Sequence, residues 1–197
     1  MKFLSLSFAG ATFLWLSNAT GQAQTFVYDA SLSGPSESPP NASPGTGFAG
    51  VTVNLTTNLL TVHVTFSGLS GITTASHIHA PTPTPFTGTA GVATQTPSFS
   101  GFPLGATSGT FDNTYDMTQA STWNPAYVTA NGGTPAGAEL AFVTALSDGE
   151  AYLNIHTTTF GGGEIRGFLS PVPEPAAISL IAMGGLVCGV AFRKSRR

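Results

Sequence analysis

Charge is scarce in this 197-residue chain, where charged side chains make up 8% of the total. Positive charge is scarcer still in its middle. Lys2 stands at the start and Arg193, Lys194, Arg196 and Arg197 stand at the end, which leaves Arg166 as the one cation between residues 24 and 170. Eight carboxylates share that stretch: Asp29, Glu37, Asp112, Asp116, Glu139, Asp148, Glu150 and Glu164. Such a surface repels phosphate backbones and anionic lipid, so no nucleic-acid partner is expected; cations, neutral polymers and proteins remain. Cysteine is nearly absent as well. The single Cys188 lies close to the C-terminus, so the middle has no disulfide and no thiol nucleophile. No Gly-rich phosphate loop of recognised form occurs, and no Ser-His-acid order stands out. Thr, Ser, Asn and Gly must carry solubility, a composition of secreted β proteins.

The ends are different in kind. Lys2 is followed by an uncharged, mostly apolar run from Phe3 to Leu16, and small residues at Gly21 and Ala23 fit a signal peptidase, so residues 1–23 read as an export signal. At the other end Ala176 to Phe192 is uncharged and apolar, close to the lower limit for a transmembrane helix, and a basic cluster follows it. Pro173-Glu174-Pro175 stands just before that run. The order of Pro-Glu-Pro, apolar helix and basic end resembles the PEP-CTERM sorting signal of Gram-negative bacteria. That resemblance implies transient anchoring in the inner membrane and cleavage near Pro173, Glu174 and Pro175 by an exosortase-type enzyme. Release into the cell envelope or the extracellular matrix would follow. Residues 24–170 are then the one domain, and 171–197 the sorting tail.

Within that domain, alternation with period two predicts strands over 25–32, 51–55, 73–80, 151–157 and 164–169, and a hairpin over 55–66 turning at Thr56-Thr57-Asn58. Leu60, Val62, Val64 and Phe66 face the core of that hairpin while His63 faces out. Two further short strands are expected near Val92 and Thr110. Spacing nearer three and four between Gln119 and Leu146 predicts two short helices broken at Asn131 to Pro135. The fold class that results is mainly β, an antiparallel sandwich or barrel-like domain with two short helices.

Several pieces of this domain, in order, resemble the CHRD domain: Leu32-Ser33-Gly34 with Glu37 and Pro39-Pro40, Phe66-Ser67-Gly68-Leu69, His77-Ile78-His79, Tyr152 to Thr157, and Gly163 to Gly167. The resemblance implies an extracellular β domain. It departs where the family usually has a glycine soon after His-x-His, since Ala80 to Pro85 is proline-rich here.

His77 and His79 are two apart, so on a strand both rings face one way. If the last hairpin turns symmetrically about Phe160 and Gly161, His156 stands opposite Glu164 and Asn154 opposite Arg166, all on one face. Three imidazoles on one face suit zinc or copper, with Glu164 as a supporting carboxylate. The competing reading makes the histidines with Asn154, Glu164 and Arg166 a satisfied polar network that fixes strand register. Two functions follow. The leading one is a non-enzymatic binding or structural module of the envelope or matrix, with an extracellular protein or polysaccharide as partner. The other is a His-ligated metalloprotein, redox-active if the metal is copper. A paired-carboxylate hydrolase has only Glu37 and Glu164 to offer.

Overall fold

The computed structural model describes residues 24–173. The expected export signal, Glu174, Pro175, the apolar run and the basic end lie outside the described residues. Pro173 lies inside and is exposed. Among the described residues no helix is long and apolar enough to cross a membrane.

Among the described residues eight strands form in chain order: β1 (Thr25–Ser33), β2 (Thr46–Asn54), β3 (Leu59–Ser67), β4 (Thr73–His79), β5 (Gly109–Asp116), β6 (Tyr152–Thr157), β7 (Ile165–Phe168) and β8 (Ser170–Pro171). Two helices, α1 (Pro125–Ala130) and α2 (Pro135–Ser147), lie between β5 and β6. Both begin as expected from Pro at the first helical position, with Asn124 and Thr134 capping the free N–H groups of Ala126 and Gly137.

Of the two expected forms, sandwich or barrel-like, the structure has the second in part: a single antiparallel sheet, curled into a half-barrel, in the order β4-β6-β7-β1-β2-β3-β5, with β8 added on β1. Two packed sheets need two apolar faces from separate strand sets; here one continuous ladder curls until its apolar face closes on itself. Alternation supplies that face. Tyr28, Ala30 and Leu32, then Val51 and Val53, then Leu60, Val62 and Val64, are all buried, and α2 adds Phe142 and Leu146 to the same core. The strand expected near Val92 is only an isolated bridge to His79. Its residues run along the free edge of β4, where Ala93 and Phe99 donate to the carbonyls of Ile78 and Ser76. This blunts an edge that would otherwise pair with another chain.

The outer face of the sheet has two halves. Over β2, β3 and β5 it is largely open and polar, with Thr61 and Thr114 hydroxyls bonded across the strands. Over β4, β6 and β7 it is covered, and most residues of these strands are buried on both sides, with Ala75, His156 and Phe168 half-buried and Thr74 exposed. Residues from the 3₁₀ turn Gly34–Ser36 onward, together with the proline-rich connection after β4, supply the cover. Arg166 fastens both segments: its Nε donates to the Ser36 carbonyl and its Nη1 to the Gly88 carbonyl at 3.0 Å.

Candidate metal centre

Register brings the histidines together. On β4 and β6, His77 stands opposite Asn154, His79 opposite Tyr152, and Ala75 opposite His156. Because Ile78, Leu153 and Ile155 point into the core, their neighbours His77, His79, Tyr152, Asn154 and His156 share the covered outer face. One ring nitrogen from each of His77, His79 and His156 lies within 4.8 Å of the other two.

Each imidazole is held from behind by a backbone carbonyl. His77 Nε2 reaches the Pro97 carbonyl at 2.7 Å, His79 Nδ1 the Ala90 carbonyl at 2.9 Å, and His156 Nδ1 the Gly161 carbonyl at 3.0 Å. A carbonyl only accepts, so each of those nitrogens carries the proton and the other nitrogen of each ring presents a lone pair. Those other nitrogens, His77 Nδ1, His79 Nε2 and His156 Nε2, are buried and have no hydrogen-bond partner. Burial also lowers all three pKa values, that of His79 to about 4, with the neighbouring imidazoles adding to the effect at His77 and His79. At neutral pH the cluster is therefore three neutral bases. The His79 ring is further fixed by Tyr152, stacked on it at 4.8 Å with an interplanar angle of 5°.

Glu164 is not part of this group. The final hairpin has the expected pairing of Asn154 with Arg166, but at its mouth the Glu164 N–H donates to the Ile155 carbonyl. That shift of one residue takes Glu164 off the position opposite His156, and its side chain turns to the other side of the sheet. There its carboxylate accepts from Ser43 Oγ at 2.6 Å, Thr157 Oγ1 at 2.6 Å, the Gly71 N–H at 3.2 Å and the Ser70 N–H. Burial alone would raise the Glu164 pKa, but these four bonds outweigh it and hold the carboxyl below its ordinary value. Glu164 thus supports no histidine; backbone carbonyls do that.

The carboxylate beside Arg166 is Glu37, with Nε to Oε2 at 3.9 Å. Both are buried, and Asn154 Nδ2 donates to Glu37 Oε1 at 2.9 Å. The guanidinium lies over the Tyr152 ring, 4.7 Å from its centroid. Burial pushes Glu37 up to about 7, and the Arg166 charge only partly offsets this. Glu37 and Glu164 therefore serve different networks rather than one hydrolytic cleft.

Sequence reasoning missed two contributors, Tyr152 and Glu37. The first was legible, since Tyr152 stands two and four residues before Asn154 and His156 on the same strand. Glu37 arrives from a turn 117 residues away from Asn154, and no local pattern announces it. His63 lies on the open half, at 2.6 Å from Asp112.

The CHRD domain family model matches residues 28–169. Neither the curated proteins nor the solved structures contain a match to the chain.

Proposed function

Since the chain belongs to the CHRD domain family, which suggests an extracellular module, we propose that it is an exported β module that holds one zinc or copper ion on His77, His79 and His156. Two observations carry this reading together: one ring nitrogen from each histidine lies within 4.8 Å of the other two, and each ring has one buried nitrogen with no hydrogen-bond partner. A satisfied polar network is the weaker account, because it would leave no such atoms: buried polar groups in folded proteins are nearly always paired. Closing from that spacing onto metal–nitrogen distances of about 2.0–2.1 Å needs only small rotations of the rings. The second nitrogen of each ring is already bound to a carbonyl, as metal-ligating histidines require for ring orientation and basicity. Imidazole donors suit both zinc and copper.

The test is metal analysis and titration of the full chain after chelation. One equivalent of zinc or copper retained or taken up is expected; no stoichiometric uptake of either sinks the reading. Export and sorting through Pro173, Glu174 and Pro175 by an exosortase-type enzyme complete the proposal. The mass of the secreted form checks that part, and an intact tail beyond Pro175 would contradict it.

A further inference from the structure

Five buried side-chain nitrogen or oxygen atoms lack a hydrogen-bond partner among the described residues: His77 Nδ1, His79 Nε2, His156 Nε2, Asn154 Oδ1 and Tyr127 Oη. Four of the five belong to one patch of the covered face. Asn154 is its centre, with His77 opposite on β4, Arg166 opposite on β7 and His156 two residues along β6. It is 3% exposed.

The direction of its amide is fixed. Glu37 accepts from Asn154 Nδ2 at 2.9 Å, so the nitrogen faces Glu37 and the oxygen turns away from it. Gly163 keeps this arrangement in place. A Cβ there would lie 2.3 Å from Asn154 Nδ2 and 2.7 Å from Glu37 Oε1, and the residue has φ +134°. Only glycine accommodates both the contact and the backbone.

A buried carbonyl oxygen left without a partner costs about 1–3 kcal/mol. The three unpartnered imidazole nitrogens on the same face cannot help, because each presents a lone pair and none a proton. A water molecule brings two hydrogens and would leave two of the four acceptors unmet. A cation satisfies all four at once. His77 offers Nδ1, the ring nitrogen nearer its own Cβ, which seats an ion close to the strands, within reach of a side chain as short as asparagine on the facing strand. His79 and His156 offer the distal Nε2 and approach from further out.

We infer that Asn154 Oδ1 is the fourth donor of the metal centre, which makes it a closed N₃O site rather than a three-histidine site open to an exogenous ligand. This rests on the three-histidine reading above. A structural metal of this kind fills four positions with protein atoms, whereas a catalytic one leaves a position for water or substrate.

Cobalt(II), a spectroscopic stand-in for zinc, bound to the full chain with azide added as a competing ligand tests the inference. Wild-type visible bands should not respond to azide. In Asn154→Ala the bands should shift with azide, and cobalt affinity should fall about 10–100-fold, as when a supporting contact to a metal ligand is lost or by more. Azide-responsive bands in the wild type overturn the inference, as does an alanine variant with wild-type affinity and no azide response. If the wild type takes up no cobalt, zinc or copper, the three-histidine reading has failed instead. Should Asn154→Ala not fold, X-ray absorption of the zinc-loaded wild type decides: three imidazoles and one oxygen that azide does not displace support the closed site, and any exchangeable position overturns it.

Discussion

All four histidines of this chain lie on the outer face of one sheet, yet they meet opposite fates. His63, on the open half, has its Nδ1 on Asp112 across the strands and water within reach. His77, His79 and His156, on the covered half, have one nitrogen each on a loop carbonyl and the other buried without a hydrogen-bond partner. The strands are the same kind of structure in both halves. What differs is the cover, which removes water from the bases and supplies the Pro97 and Ala90 carbonyls in its place, while the β6–β7 turn supplies that of Gly161. A polar residue on a sheet thus becomes a candidate site through the segments laid over it, and those segments are held by Arg166.

The largest effect should come from the group that is buried and fully satisfied. Glu164→Ala leaves Ser43 Oγ, Thr157 Oγ1 and the Ser70 and Gly71 N–H groups without their acceptor. A loss of about 4 kcal/mol in a denaturant titration is expected, in line with removal of one partner from a buried charged network. The Glu164 carboxyl is held below its ordinary value of 4.5. Its contribution is therefore present above the unfolded-state value and disappears as pH falls through the folded one. Glu164→Gln should blunt the acid loss of stability below about pH 4.5 without altering metal uptake at pH 7.

Removing a ligand should give the reverse signature. His77→Ala should reduce zinc affinity by at least about 100-fold, equivalent to about 2.7 kcal/mol, while apo stability changes little, because the one partner it orphans is the carbonyl of Pro97, an exposed residue where water can donate instead, and the buried, unpartnered Nδ1 goes with the ring. Chelation should lower the unfolding midpoint of the wild type and leave that of His77→Ala unchanged. At a zinc concentration 100 times Kd the wild type should gain about 2.7 kcal/mol. If His77→Ala proves as destabilising without metal as Glu164→Ala, the histidines are a structural network and the distinction between the clusters fails.

Next in size is Arg166→Met. It removes the bonds to the Ser36 and Gly88 carbonyls, for about 2 kcal/mol by the usual worth of charge-assisted bonds. Hydrogen exchange should rise first in residues 34–44 and 80–98, the cover, rather than in β2 and β3. Faster exchange in the open half instead would mean that Arg166 holds the sheet and not its lid.

Strands were legible in the sequence because period-two alternation is a local property. Leu60, Val62, Val64 and Phe66 are buried as that pattern requires, and counting back from the turn paired Asn154 with Arg166. The same count failed one step further on. At the hairpin mouth a single residue of slip moved Glu164 to the opposite face, and a slip of one always reverses a side chain. Sheet order was not legible either, since β4-β6-β7-β1 is set by contacts far apart in the chain. The histidine cluster could be anticipated from residue types and spacing. Its supports could not, because Pro97, Ala90 and Gly161 act through backbone carbonyls that every residue carries.

The smallest expected effect is the sharpest control on the comparison of halves. His63 and Asp112 pair at 2.6 Å, but their side chains are 41% and 67% exposed, so solvent competes for both and the pair contributes little. His63→Ala should change stability by no more than about 0.5 kcal/mol and leave zinc stoichiometry at the wild-type value. A variant with the pair intact but the three covered histidines replaced should then bind no zinc at one equivalent. Were zinc uptake to follow His63 instead, an exposed imidazole beside a carboxylate would be outperforming three preorganised, dehydrated ones, and burial by the cover could no longer be what separates the two halves.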